Sequence, residues 1–235
     1  MGEIGLYEAM RTTRAVRRLR PDPIPDAVLA RVLEAATWAP SGGNRQPWRI
    51  VVVRDAGTKA ALQRMYEEGW RAYLPDARQE PAPRAHGEAA ALTAAQQAKR
   101  ERALRAASHL ARNFHRAPVI LVMCFDPNAL VITDRDLGRP SVVGGASIYP
   151  AVQNLLLACR AEGLGCVLTT LLCAREAEIR PLLRLPEPWA FAAFVPVGFP
   201  VGTGHGPLGR RPIREMVFAD RWGEPFVTPP ADDDA

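Results

Sequence analysis

The chain has 235 residues, 48% hydrophobic and 23% charged, and a net charge of +5. That balance suits one globular domain with a sizeable core, and without a run of about 18 uncharged apolar residues or a basic-then-apolar start it predicts neither a membrane span nor a secretory leader. Nucleic acid is disfavoured too, because the positive charge is nearly all arginine, gathered in TTRAVRRLRP and LGRRPIRE, with no nucleic-acid-binding pattern around it.

In chain order, residues 3–13 predict a helix with Ile4, Leu6, Tyr7 and Met10 on one face. PDPIPD is a rigid turn, with Asp26 as the expected N-cap. Residues 27–38 carry Val28, Leu29, Val32, Leu33 and Ala36 at helical spacing. The loop APSGGNRQPW follows, then the strand RIVVVRD and a helix from Thr58 to about Tyr73. Residues 75–103 are polar, Ala-rich and punctuated by prolines, which predicts an excursion from the core with a helix near 88–107. APVILVMCF is a continuously apolar strand, as burial on both faces requires. Residues 144–163 predict a helix that is apolar nearly all round and stops at Gly163. LGCVLTTLL reads as a strand leading to a turn, REAEIRPLLRL as a short helix and WAFAAFVPVGFP as the last long strand. PPADDDA is expected to be a disordered tail, outside a single domain over residues 1–227. The order is not a regular strand–helix alternation and no GxGxxG follows a strand. An α+β architecture with a small sheet is therefore expected, not a doubly wound one.

The chemistry-bearing residues are sparse. Cys124, Cys159, Cys166 and Cys173 form no CxxC pair and predict reduced, buried thiols in a cytoplasmic protein. The histidines show no metal-ligand spacing, so no metal is expected. No GxSxG nucleophile elbow or P-loop is present. A chain so poor in acid–base sets either binds without turnover or takes its chemistry from a cofactor. Arg14, Arg17, Arg210 and Arg211 are able to converge on one phosphate through charge-assisted hydrogen bonds. Equally, Arg17, Arg18 and Arg20 suit a solvated basic turn. In SGGN, Gly42 and Gly43 allow close backbone approach to a flat ring, or else a flexible turn.

Four blocks, in order over nearly the whole chain, resemble the nitroreductase family: TTRAVRRLRPDPIPD, LEAATWAPSGGNRQPWRIVVVRD, VQNLLLACRAEGLGCVLTT, and PVGFP with RRPIREMV. The resemblance implies an α+β nitroreductase-like fold. In it a small, mainly antiparallel sheet is flanked by helices, within an intertwined homodimer that binds FMN at the subunit interface. It also implies electron transfer from NADH or NADPH to a small-molecule acceptor by a ping-pong cycle, and a variable lid over about 66–116. Carried over by residue, Thr13, Arg14, Ala15 and Arg17 stand where the family reads Arg-Arg-Ser-x-Arg against the flavin. Arg14 and Arg17 match, whereas Thr13 and Ala15 depart. Arg210 and Arg211 would share the phosphate. Pro40, Ser41, Gly42 and Asn44 would lie over the partner's flavin, with Gly43 toward the substrate. Leu168, Thr169 and Thr170 would pass beside flavin N5, and Thr170 is the expected catalytic hydroxyl. The run VLTT is most similar to the iodotyrosine deiodinase branch, which implies one-electron chemistry. Tyr66, Trp70 and Tyr73 are candidate lid aromatics for a flat substrate, and equally candidates for helix core.

Overall fold

The computed structural model describes residues 4–79 and 93–227. Its centre is a four-stranded sheet in the order β1-β2-β4-β3, with every pair antiparallel. The strands are β1 (Trp48–Val53), β2 (Val119–Phe125), β3 (Gly165–Cys166) and β4 (Ala190–Gly198). β2 explains its own composition. Val119, Leu121 and Met123 enter the core on one face, and Ile120, Val122 and Cys124 enter a second core on the other. A strand with two dry faces has no position left for a polar side chain. In β4 the pairing register slips between Met123 and Cys124, which leaves Ala192 extra. That bulge rotates the strand, so Phe191 and Phe194, three apart, both face the second core.

The first core lies under α2 (Asp26–Thr37) and α5 (Tyr149–Ala161). Leu29, Val32 and Ala36 meet Ala151, Val152, Leu155 and Cys159 there, following the helical spacing of both segments. Asp26 is not the cap of α2. It is the first helical residue, and its carboxylate pairs with Arg54 at 2.5 Å, tying the helix to the end of β1. α5 begins five residues later than the sequence predicts. Residues 143–147 form a tighter 3-10 turn, because Pro150 suits only the first turn of an α-helix. Gly163 ends the helix in the left-handed conformation, at φ +71°.

The second core is covered by α3 (Ala56–Gln79), α4 (Ala94–Asn113) and the short α6 (Glu176–Leu183). Thr93 and Gln96 close a reciprocal capping box at the start of α4. The N-terminal α1 (Leu6–Thr12) leads into residues 15–20, which run along the β3 side of the sheet. The Val16 N–H donates to Cys166 O at 2.9 Å, Arg20 N–H to Phe199 O at 2.7 Å, and Val201 N–H to Arg18 O at 2.9 Å. The strand expected over 164–172 shrinks to two residues. The chain leaves the sheet after Cys166, touches β4 once more at Thr169–Phe194, and coils into a 3-10 turn at Leu171–Arg175. Among the described residues no helix is long and apolar enough to cross a membrane. The expected tail, residues 228–235, and the middle of the expected excursion lie outside the described residues.

Candidate functional site

Pairing to β3 makes the first arginine segment extended and fixed. Ala15 bridges Cys166 in parallel, and Val16 is buried against Gly165. A Cβ at Gly165 would sit 2.7 Å from Val16 Cγ1, so only glycine admits this approach. The C-terminal segment then folds back onto it. Gly206 N–H donates to Thr12 O and Leu208 N–H to Arg11 O, both at 3.1 Å, and Arg14 Nη2 donates to Pro207 O at 2.5 Å. That bond occupies one of five guanidinium N–H groups, so Arg14 keeps donors for an anion. His205 holds the joint. Its Nε2 lies 2.9 Å from Leu164 O, and its Nδ1 lies 3.5 Å from the Arg14 N–H. One neutral tautomer satisfies both, with Nε2–H donating and Nδ1 accepting. Burial lowers the His205 pKa, as do the charges of Arg160 and Arg14, against the raising effect of Leu164 O. The Gly-rich GTGHG run was not read as functional from the sequence. Its signal is a lone histidine among three glycines, Gly202, Gly204 and Gly206, all of which take positive φ in the structure.

On the other side of the segment, Arg17 is half-buried, and desolvation lowers its pKa while Tyr66 raises it. Tyr66 also shares a hydrogen bond with Thr169, and burial raises its own pKa. Thr169 is locked by a reciprocal pair of backbone bonds to Phe194, at 3.0 and 2.9 Å. Thr170 is different. It is exposed, caps nothing with its side chain, and its hydroxyl makes no hydrogen bond among the described residues. It borders an apolar hollow of about 410 Å³ with Tyr149, Cys173 and Phe191. Burial pushes the Cys173 thiol up to about 11, so this cysteine is no nucleophile.

The SGGN loop is ordered by its own polar groups. Gly42 N–H donates to Ser147 Oγ at 3.1 Å, Gln46 N–H to Ser41 Oγ at 3.0 Å, and Gln46 Nε2 to Asn44 Oδ1 at 3.1 Å. Gly43, Asn44 and Gln46 are all left-handed, at φ +59°, +53° and +47°. Three such residues in four positions fit a surface that must present backbone, not a slack turn. Among the described residues, the loop's side-chain hydrogen bonds stay within itself and with Arg49 and Ser147, not with residues 13–17.

The sequence model of the nitroreductase family matches residues 10–199. The chain belongs to the nitroreductase family. This nitroreductase is 34% identical over 207 residues to the NADH dehydrogenase of Thermus thermophilus, covering 87% of this chain and 91% of that one. It is 31% identical over 225 residues to the 5,6-dimethylbenzimidazole synthase of Rhodobacter capsulatus, covering 92% and 94%. A structure of iodotyrosine deiodinase bound to FMN and 3-iodo-L-tyrosine has a TM-score of 0.64 at 24% identity, covering 92% and 99%. The nitroreductase-like α+β fold with its small antiparallel sheet is thereby established.

The expected site residues sort into groups. Of the first block only Arg14 meets the C-terminal segment; Thr13 bonds back to Ala9 O, Ala15 pairs with Cys166, and Arg17 lies near Tyr66, which in turn bonds Thr169. Arg210 is exposed at the end of that segment, where its Nη1 donates to Gly209 O at 3.1 Å, and Arg211 follows it. Leu168 packs on the first core. Pro40, Ser41, Gly42, Gly43 and Asn44 stand apart, around Ser147. Tyr66 and Trp70 take the helix-core side of the two alternatives expected for them. Tyr66 is 4% exposed and stacked on Phe114 at 4.5 Å, and Trp70 is 8% exposed with its indole N–H on Ser108 Oγ at 3.0 Å. Trp70 fastens α3 to α4, and Tyr66 fastens α3 to the 3-10 turn Phe114–Arg116 that follows α4. Tyr73 is 43% exposed.

Proposed function

We propose that the protein is an FMN-dependent oxidoreductase that takes electrons from NADH or NADPH and passes them to an electron-poor acceptor by a ping-pong cycle. The observation that carries this reading is the folding of the segment before Arg210 and Arg211 onto residues 11–14. A separate support is the unengaged Thr170 hydroxyl at the edge of an apolar hollow. The residues suit a phosphorylated flavin. Arg14, Arg17, Arg210 and Arg211 supply cationic donors for a phosphate and a pyrimidine edge. Ala15 offers backbone only, and Thr13 keeps acceptor capacity while its hydroxyl donates to Ala9 O at 2.6 Å. FMN, when bound, supplies hydride and electron transfer.

In this proposal the chain's own residues bind, orient and shield. Leu168, Thr169 and Thr170 form the wall beside the reacting edge, and the Thr170 hydroxyl donates a hydrogen bond there. The donor and then the acceptor use one face in turn. Protons come from water, because among the described residues no carboxyl group lines the Thr170 hollow. Among the described residues the loop Pro40–Asn44 makes no side-chain bond to the arginine segment of its own chain, which fits a role over the partner's flavin in a homodimer. Leu6, Tyr7, Met10 and Trp38, all exposed and apolar on neighbouring helices, offer the surface for that dimer. Gly43 and Tyr73 would face the acceptor, a nitroaromatic, quinone or enone.

The test is direct. Purified protein should show flavin absorbance and oxidise NADH or NADPH when menadione or a nitroarene is added. Colourless protein that takes up no FMN defeats the reading. A second reading is favoured by the 31% identity to 5,6-dimethylbenzimidazole synthase: a specialised flavin reaction under air. Loss of bound flavin in stoichiometric amount, without an added acceptor, would mark it.

A further inference from the structure

Beyond Arg17, between residues 17–21 and the C-terminal half of α4, lies a cavity of about 300 Å³. Arg17, Arg18 and Arg116 line it. Across Arg18 and His109 it adjoins a second hollow of about 480 Å³, with Leu74 and Leu104 as its apolar wall and Arg112 on its rim. Six arginines line the two hollows: Arg17, Arg18, Arg20, Arg105, Arg112 and Arg116. Arg20 is paired with Asp22 at 3.3 Å. Arg17, Arg18, Arg112 and Arg116 form no ion pair among the described residues. The one carboxylate lining the two hollows, Glu101, is taken by Arg105 at 3.4 Å.

Glu67, already bonded to Arg71, is the carboxylate that feels Arg112. Like charges gathered in excess of their counter-charges repel one another, and an anionic ligand reduces that cost. Desolvation, with Arg18, Arg112 and Arg116, lowers the His109 pKa, so a neutral imidazole faces the cleft as a hydrogen-bonding group. An apolar wall beside clustered guanidiniums suits an aromatic base that carries a phosphate on its sugar. We propose that this cleft binds the 2′-phosphoadenosine half of NADPH and makes the protein prefer NADPH to NADH. The inference rests on the oxidoreductase reading above. Arg17 links the two sites, since it lines the cleft and belongs to the segment that faces the flavin in that reading.

The test uses flavin-loaded protein and two probes, 2′,5′-ADP and 5′-AMP, titrated by calorimetry. The expected result is binding of 2′,5′-ADP at least about tenfold tighter than 5′-AMP, as one added phosphate–arginine contact implies. Arg18→Ala and Arg112→Ala should each weaken 2′,5′-ADP by roughly tenfold and raise the KM for NADPH alike, with the KM for NADH held within about twofold. Equal binding of the two probes, no binding of either, or variants that bind 2′,5′-ADP as the parent does would each overturn the proposal. These titrations involve no turnover. A protein that oxidises NADH but ignores 2′,5′-ADP would sink the cleft and leave the oxidoreductase standing; a protein without flavin would do the reverse.

Discussion

Replacing Gly165 with alanine tests how the arginine segment is held. The added Cβ would lie 2.7 Å from Val16 Cγ1, 2.9 Å from Val16 Cβ and 3.1 Å from Leu19 Cδ2. Ordinary carbon contacts are about 3.5–4.0 Å, so residues 16–19 must retreat by about 1 Å. Val16 has little freedom to yield, being β-branched, 5% exposed and bonded through its N–H to Cys166 O. Overpacking of this kind costs about 1–3 kcal/mol, and weakening the Val16–Cys166 bond adds about 1 kcal/mol. For a chain of this size each kcal/mol lowers Tm by about 2–4 °C, so a fall of roughly 4–16 °C is expected. Arg14 and Arg17 move with the segment, and FMN affinity should fall at least about tenfold if one charge-assisted bond loses its geometry. Gly138→Ala is the control, since nothing lies within 4 Å of a Cβ there. Thermal melts and flavin-fluorescence titrations read both effects. A Gly165→Ala protein with the Tm and FMN affinity of the control would refute the close-approach argument.

Arg210→Ala should weaken FMN by about 1.5–3 kcal/mol in a fluorescence titration while leaving Tm nearly unchanged, because among the described residues its side chain bonds only its neighbour's carbonyl. Thr170→Ala should leave Tm within about 1 °C and slow flavin reduction roughly tenfold in stopped flow, with Thr170→Ser restoring most of the rate. Tyr66→Phe should cost about 1–2 kcal/mol in urea unfolding and leave the acceptor KM unchanged; a large KM effect would return Tyr66 to the substrate site. The folded-state pKa values of His205 and His109 are both lowered, chiefly by burial. The unfolded chain therefore takes up protons first, and stability present above the usual histidine value of about 6.5 is lost as pH falls through it. Urea midpoints at pH 7.5 and 5.5 should show this drop, smaller in His205→Gln. Asp55 and Glu67 titrate below the ordinary carboxylate range and do not confuse that window.

The sequence was most legible where one physical demand fixed several residues at once. β2 was plain because two dry faces leave no polar position, and α2 because its spacing marks one buried stripe. Both ends of α5 carry a signal, Pro150 and Gly163, yet only the glycine was read for what it does. β3 was over-read, since an apolar run does not say where backbone pairing stops, and here it stops after Cys166. Asp26 shows the same gap in another form: a good N-cap residue was claimed by Arg54, twenty-eight positions away. At the site, composition marked SGGN as a special backbone but not the three left-handed residues or Ser147 beneath them. Tyr66 and Trp70 have the spacing of either a lid or a core, and only the partners Phe114 and Ser108 decide. His205 was missed because its role lies in joining two carbonyl- and amide-bearing strands distant in sequence.

Residues 15–20 have a second duty besides holding arginines. They cover the open side of β3 and the end of β4, taking up Cys166 O and Phe199 O and giving Arg18 O to Val201. Uncovered, that side would present unpaired N–H and C=O groups to any other chain. The segment is therefore the sheet's guard against edge-to-edge association. Damage that loosens it, at Gly165 or at His205, should cost solubility together with cofactor, and supplying FMN in excess during refolding should suppress aggregation.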